Sequence, residues 1–193
     1  MTDLVALPQE TRLAARQNLL KGAGWDQARA EPLAGDASLR SYQRLHRDSE
    51  TAVLMDAPPP QEDVRPFVAM ANWLKVKGLS APELYAVNAD AGYILLEDLG
   101  DGLYSSEMAS GADEARLYDA AVDVLAAWQQ HAPPEEFPPY DDDFLLLEVS
   151  YFFDWYLKQH LGQSVTDDQR SDFLGLWQTL LAGMNPGPRV LVL

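Results

Sequence analysis

The apolar positions of this chain change rhythm near residue 100. Before that point short apolar runs alternate with helical stretches; after it apolar residues recur mainly at helical spacing. Leu4 to Lys21 reads as a helix, with Leu13, Leu19 and Leu20 near one stripe and Arg12, Arg16 and Gln17 on the other side. Pro8 can occupy its first turn, and Gly22 or Gly24 can end it. Residues 29–33 form a short extended segment. Tyr42–His46 and Thr51–Met55 then read as a hairpin around Arg47-Asp48-Ser49-Glu50. A helix is predicted over about 62–77, with Phe67, Met70, Ala71 and Leu74 at helical spacing, Gly78 as its stop and its regular part starting near Pro66. Glu83–Val87 and Gly92–Glu97 make a second strand pair across the turn Asn88-Ala89-Asp90-Ala91. Within it, the apolar run Tyr93-Ile94-Leu95-Leu96 stops abruptly at Glu97-Asp98-Leu99-Gly100. That pattern predicts a buried strand leaving the core at a defined point, where backbone groups lose their ladder partners and can be offered to a ligand. Taken alone it also reads as a strand followed by a surface turn.

Beyond the joint Gly100-Asp101-Gly102 the helices are Asp113–His131, Asp141–His160 and Asp167–Leu181, the last capped by Thr166 or Asp167. Residues 132–140 hold four prolines and form a loop, and Arg189–Leu193 starts a strand. Strands followed by helices predict an α+β fold, with residues 1–100 as a sheet-and-helix lobe and 101–193 as a helical part.

Composition narrows the classes. The 193 residues are 47% apolar and 23% charged, which supports a sizeable core. No 18-residue uncharged apolar run exists, and the N-terminus has no signal-peptide pattern. Cysteine is absent, which excludes disulfides and thiolate metal sites and fits a cytoplasmic protein. The net charge of −16 is uneven: residues 1–100 carry 10 Lys/Arg against 14 Asp/Glu, and residues 101–193 carry 4 against 16. Such a second half argues against nucleic-acid or anionic-membrane partners and is compatible with a cationic or neutral polar substrate.

Three segments carry candidate chemistry. Gly35-Asp36-Ala37-Ser38 is a small-residue turn whose amides and Ser38 hydroxyl suit phosphate, with Arg40 and Arg44 as nearby cations; in isolation it reads first as a plain hairpin turn. At the exit of the apolar run, the Glu97 carbonyl and Leu99 amide can pair with a planar heterocycle. The strand at Arg189–Leu193 can lead to catalytic residues. His46, His131 and His160 share no metal-binding spacing, and Asp141-Asp142-Asp143 suits a helix N-terminus as well as a cation. There is no Walker-type loop.

In order and spacing, Gly35-Asp36-Ala37-Ser38-Leu39-Arg40-Ser41-Tyr42, Val53-Leu54-Met55-Asp56-Ala57-Pro58-Pro59, Gly78-Leu79-Ser80-Ala81-Pro82-Glu83-Leu84-Tyr85 and Leu95-Leu96-Glu97-Asp98-Leu99-Gly100 resemble the aminoglycoside phosphotransferase family, which has a protein-kinase-like fold. Within it they resemble the bacterial branch of N-acetylmuramate/N-acetylglucosamine anomeric kinases. The resemblance implies ATP- and Mg2+-dependent phosphate transfer to a small hydroxylated substrate. By it, residues 96–100 are the hinge, Leu96 is the gatekeeper, and Glu97, Asp98 and Leu99 border the adenine. Gly35, Asp36, Ala37 and Ser38 cover the phosphates. Glu148 and Asp154 are candidates for facing the sugar.

Two departures accompany the resemblance. Kinase-like folds pair a lysine on the third strand with a helix glutamate. Here Met55 stands near the lysine position, Phe67 near the glutamate, and Glu62 five residues earlier, so Arg40 or Arg44 is expected to compensate. The catalytic loop H-x-D-x-x-x-x-N and the metal-binding motif are expected beyond Leu193, so this chain is expected to hold no catalytic residue or metal ligand, to be an inactive fragment, and to self-associate through uncovered apolar surface. The alternatives are a non-catalytic nucleotide-binding or regulatory module and a kinase for aminoglycoside- or choline-type cations.

Overall fold

The computed structural model describes residues 6–34, 38–135 and 137–184. The expected strand at Arg189–Leu193 lies outside them. The chain divides into two compact units, Met1–Val124 and Leu125–Leu193.

One antiparallel sheet organises the first unit. Its strands are β1 (Arg29–Pro32), β2 (Ser41–Arg47), β3 (Glu50–Asp56), β4 (Leu84–Asn88) and β5 (Tyr93–Glu97), in the order β1-β2-β3-β5-β4. β5 lies between β3 and β4, and both of its faces are covered, which is why its apolar run is unbroken. Helices α1 (Gln9–Gly22) and α2 (Arg65–Val76) cover opposite faces. Alternation sorts the side chains. Ala52, Leu54, Tyr93 and Leu95 pack with Leu20, Trp25 and Leu45 on the α1 face. Met55, Ile94 and Leu96 pack with Val64, Phe67 and Val68 on the α2 face. Ile94 and Leu95 are wholly buried on opposite sides. Each such side chain contributes about 1.5–3 kcal/mol, so β5 is the strand that both half-cores share.

The first helix departs from expectation. It begins at Gln9 rather than Leu4, with Pro8 in extended backbone (φ −55°, ψ 145°) just before it. Its polar and apolar sides are also rearranged. Leu13 is exposed, whereas Arg12 and Arg16 face the sheet. Arg12 pairs with Asp56, donates to the Ala91 carbonyl (3.2 Å) and lies 4.7 Å over the Tyr93 ring. Arg16 donates to the Gln43 side chain (2.8 Å). A guanidinium on an aliphatic stem can cover apolar surface while meeting the polar groups at its edge, and stripe counting treats it as solvent-facing. The second helix starts at Arg65 with Pro66 in its first turn, so residues 62–64 lead into it.

Three groups shape the turn into β5. The Asn88 side chain accepts from the Ala91 amide (3.0 Å), and the Ala57 amide donates to the Gly92 carbonyl (2.8 Å). Gly92 has φ +74°, and a Cβ there would stand 1.9 Å from the Ala57 carbonyl oxygen.

After the sheet come α3 (Tyr104–Ala109), which the apolar pattern did not predict, and α4 (Glu114–Trp128). In the second unit α5 (Asp142–Tyr151) is capped by Asp141, whose carboxylate accepts from the Phe144 amide (3.1 Å). The sequence predicts one helix to His160. Instead α5 widens into a π-helical stretch, Phe152–His160, closed by Leu161 N–H to Tyr156 C=O (3.0 Å). The wider turn lets two adjacent rings, Phe152 and Phe153, both meet Phe173, at 5.8 Å and 4.9 Å between centroids. Helix α6 (Asp167–Ala182) begins with a capping box between Thr166 and Gln169.

Gly92→Ala combines a disfavoured backbone angle with a backbone clash. It is expected to lower unfolding stability by at least about 2 kcal/mol, read in urea as a lower midpoint with an unchanged slope.

Candidate functional site

The α2 face of β2 carries an alternating row. Tyr42 and Arg44 stand opposite Met55 and Val53 of β3, and Arg40 lies just before the strand. Each arginine has a carboxylate partner distant in sequence. Arg40 Nε donates to Glu62 Oε2 (2.9 Å), and Glu62 Oε1 accepts from the Leu39 amide (3.2 Å). Ser38 Oγ accepts from the Arg40 amide (3.2 Å). Glu62 therefore holds residues 39–40 from both side chain and backbone. Burial alone would lower the Arg40 pKa, but the Glu62 hydrogen bond and charge keep it above the ordinary arginine value. Gly35, Asp36 and Ala37 lie outside the described residues.

Met55 is 1% exposed and belongs to the same apolar cluster as Phe67. An ammonium at 55 without a carboxylate at 67 would be a buried, unpaired charge, which is strongly unfavourable. The positions expected to hold a lysine and a glutamate are both apolar and share one cluster, so the residues are matched to each other.

At the other end of the row the chain leaves the sheet. Leu96 is buried. The Glu97 amide donates to the Glu83 carbonyl (2.8 Å), and the Glu97 carboxylate accepts from the Glu83 amide (3.0 Å). Asp98 turns inward and its side chain is 6% exposed. It accepts from Arg44 Nε (2.7 Å) and Nη2 (3.1 Å) and from the Gly100 amide (3.0 Å). Burial would raise the Asp98 carboxyl, but hydrogen bonds from Arg44, the Gly100 amide and Thr51 hold it below its usual 3.8. Asp101 takes the other side of the same guanidinium, from Nη1 (2.9 Å) and Nη2 (2.8 Å), and its carboxyl is likewise held down by those bonds. Arg44 is correspondingly raised by Asp101 and Asp98. Leu99 projects outward, 66% exposed, and its amide makes no hydrogen bond among the described residues.

In the second unit Glu148 and Asp154 are not brought together. Glu148 accepts from the Tyr140 hydroxyl (2.5 Å), which raises the phenol pKa. It lines a shallow depression with Val149, Phe152, Phe173 and Trp177. Asp154 accepts from Arg170 (2.8 Å) and lines a different depression with Lys158 and Gln163. Among the described residues no group of three or more His, Asp or Glu can hold a metal ion. His46 faces Glu31 (3.3 Å) and His160 stacks on Tyr156.

The Arg40–Glu62 and Arg44–Asp98 ties were not identified from sequence. Their one signal was the even spacing of Arg40, Tyr42 and Arg44 along a strand, which puts them on one face; the partners, 22 and 54 residues away, had no local mark.

A five-stranded antiparallel sheet with a helix on each face, followed by helices, is the α+β arrangement of a protein-kinase-like amino-terminal lobe. Residues 29–193 match the model described as "Phosphotransferase enzyme family", and the chain belongs to that family. Among curated relatives it is similar to the N-acetylmuramate/N-acetylglucosamine kinase of Pseudomonas aeruginosa, 36% identical over 178 residues, covering 90% of this chain and 52% of that protein. The protein of the same name from Caulobacter vibrioides is 41% identical over 150 residues, covering 64% of this chain and 41% of that protein. The one from Neisseria meningitidis is 30% identical over 168 residues, covering 82% and 48%. The chain spans about half the length of the curated relatives it matches. No helix among the described residues is long and apolar enough to cross a membrane.

The depressed Asp98 carboxyl fixes a pH dependence. Its contribution to stability is present above the unfolded carboxylate range and is lost as pH falls through the lower folded value, below 3.8. Asp98→Asn is expected to be destabilised at pH 7 and to approach the parent chain as pH falls below 3.8, measured by urea unfolding across that range.

Proposed function

We propose that this chain is the nucleotide-binding part of an ATP-dependent phosphotransferase whose acceptor is the hydroxyl of an amino sugar such as N-acetylmuramate or N-acetylglucosamine. The observation that carries the nucleotide reading is the sheet exit. A buried strand ends at Glu97, and two residues on the amide of the outward-pointing Leu99 makes no hydrogen bond among the described residues. A backbone donor beside a buried apolar strand suits the edge of an adenine ring, with Leu96 as the last buried apolar residue before the exit. The amino-sugar reading is supported by the names of the relatives. A cytoplasmic location fits the absence of cysteine.

In this reading Arg40 takes the place of the strand lysine. It is a half-buried guanidinium oriented by Glu62, and in sequence it follows shortly after residues 35–38, the segment expected to cover the phosphates. Arginine has five donors, so its pairing with Glu62 leaves others for phosphate oxygens. Magnesium neutralises developing charge in phosphoryl transfer. The described residues offer it no cluster, and no step through it is assigned to them. The sequence contains no H-x-D-x-x-x-x-N, so the proposed role of these residues is binding and orientation.

A second reading keeps the nucleotide site and changes the acceptor. The excess of 16 acidic over 4 basic residues in 101–193 favours a cation of the aminoglycoside or choline type. Saturation-transfer NMR of the chain with N-acetylmuramate and choline in competition separates the two: signal on the sugar supports the first reading, signal on choline alone the second.

Calorimetry of the chain with ATP is expected to give saturable one-to-one binding, and its absence would overturn the nucleotide reading. Arg40→Ala is expected to weaken ATP and tripolyphosphate by about tenfold while leaving adenosine within about twofold. Incubated with ATP, magnesium and N-acetylmuramate, this chain is expected to form no sugar phosphate detectable by phosphorus NMR; product formation would show that it holds its own catalytic residues.

A further inference from the structure

The Arg44 guanidinium is the most heavily engaged group at the sheet exit. It donates to both oxygens of Asp98 and both oxygens of Asp101, at 2.7, 3.1, 2.9 and 2.8 Å. Four of the five N–H groups of an arginine are thereby used, which leaves little for a phosphate. The stem starts from β2, the strand beyond β3 from β5, so the tie reaches across the sheet to the segment that follows it. The segment between the two carboxylates is short. Asp98 and Asp101 both point at the guanidinium, Gly100 turns with φ +76°, and Leu99 points away. The Gly100 amide returns to Asp98 (3.0 Å), and the Leu103 amide donates to the Asp101 carbonyl (2.8 Å). With both ends fixed on one planar fork, residues 99 and 100 have few conformations left.

We infer that Arg44 is a positioning residue for the linker 98–101: it orders the Leu99 amide at the end of β5 and does not bind phosphate. The ordering stands on the hydrogen bonds alone; its use in binding rests on the nucleotide reading above. Lysine cannot substitute, because one ammonium cannot meet four carboxylate oxygens in the fork geometry. The two acids are not equal. Asp98 is nearly buried, whereas Asp101 is 78% exposed, so Asp101 can be altered with less risk to the fold.

Two measurements on the chain test the assignment, with Arg44→Lys and Asp101→Asn as variants and the thermal unfolding of each as a check on folding. The first is amide hydrogen exchange over residues 97–103. Arg44→Lys is expected to speed it about tenfold, and Asp101→Asn to speed it less, while β3 exchanges as before. Unchanged exchange in both folded variants would overturn the ordering. The second is calorimetry with adenosine and with tripolyphosphate. Arg44→Lys is expected to weaken adenosine about tenfold and to leave tripolyphosphate within about twofold. Loss of tripolyphosphate with adenosine unchanged would make Arg44 a phosphate ligand and overturn the proposal. If the parent chain binds neither compound, the nucleotide reading fails, and the exchange measurement still decides whether Arg44 orders the linker.

Discussion

A carboxylate taken out of water has to be met by a cation or by donors, and Asp98 is nearly out of water. That requirement governs how the sheet ends. It brings Arg44 across from β2, and the same guanidinium gathers Asp101. The pattern recurs twice in the first unit. Arg12 ties α1 to Asp56 at the end of β3, and Arg40 ties the chain before β2 to Glu62 before α2. All three arginines pair with acids far away in sequence, and all three are less exposed than surface pairs such as Arg29–Glu31. Exposed pairs contribute little, so these three are the ones that matter for geometry.

The sheet therefore has two kinds of boundary. Its faces are sealed by apolar packing, with Leu20 and Trp25 on one side and Val64, Phe67 and Val68 on the other. Its ends are held by charged pairs. Apolar packing tolerates small sliding, whereas a bidentate pair such as Arg44–Asp98 fixes direction as well as distance. Segments near the candidate nucleotide site, residues 38–40 and 98–101, are both at ends of the second kind.

Much of the fold was legible in the sequence because it depends on local rhythm. The two hairpins, α2, the proline-rich loop and the capped α6 follow from period, turn residues and Thr166. The turning of Arg12 and Arg16 towards the sheet and the widening of α5 were not legible. Each depends on what a distant element supplies: an Ala91 carbonyl, a Gln43 side chain, a Phe173 ring. For the same reason the hinge stretch stands out as an apolar run cut short, whereas nothing in the sequence marks Asp98 and Asp101 as the partners of Arg44. A strand face shows which residues share a side; it does not show which partner will come to them.

The packing of half-buried Phe67 against the cluster that holds buried Met55 has a consequence for how such a chain can change over generations. A lysine at 55 alone would be an ammonium among Val64, Ile94 and Leu96, and a glutamate at 67 alone a half-buried carboxylate against the same cluster. Either single step is unfavourable, although the two together would make a pair. From the apolar combination, a lysine–glutamate pair is not reached by single favourable changes. Positions 55 and 67 are therefore coupled: a charge at one is tolerated only with its opposite at the other.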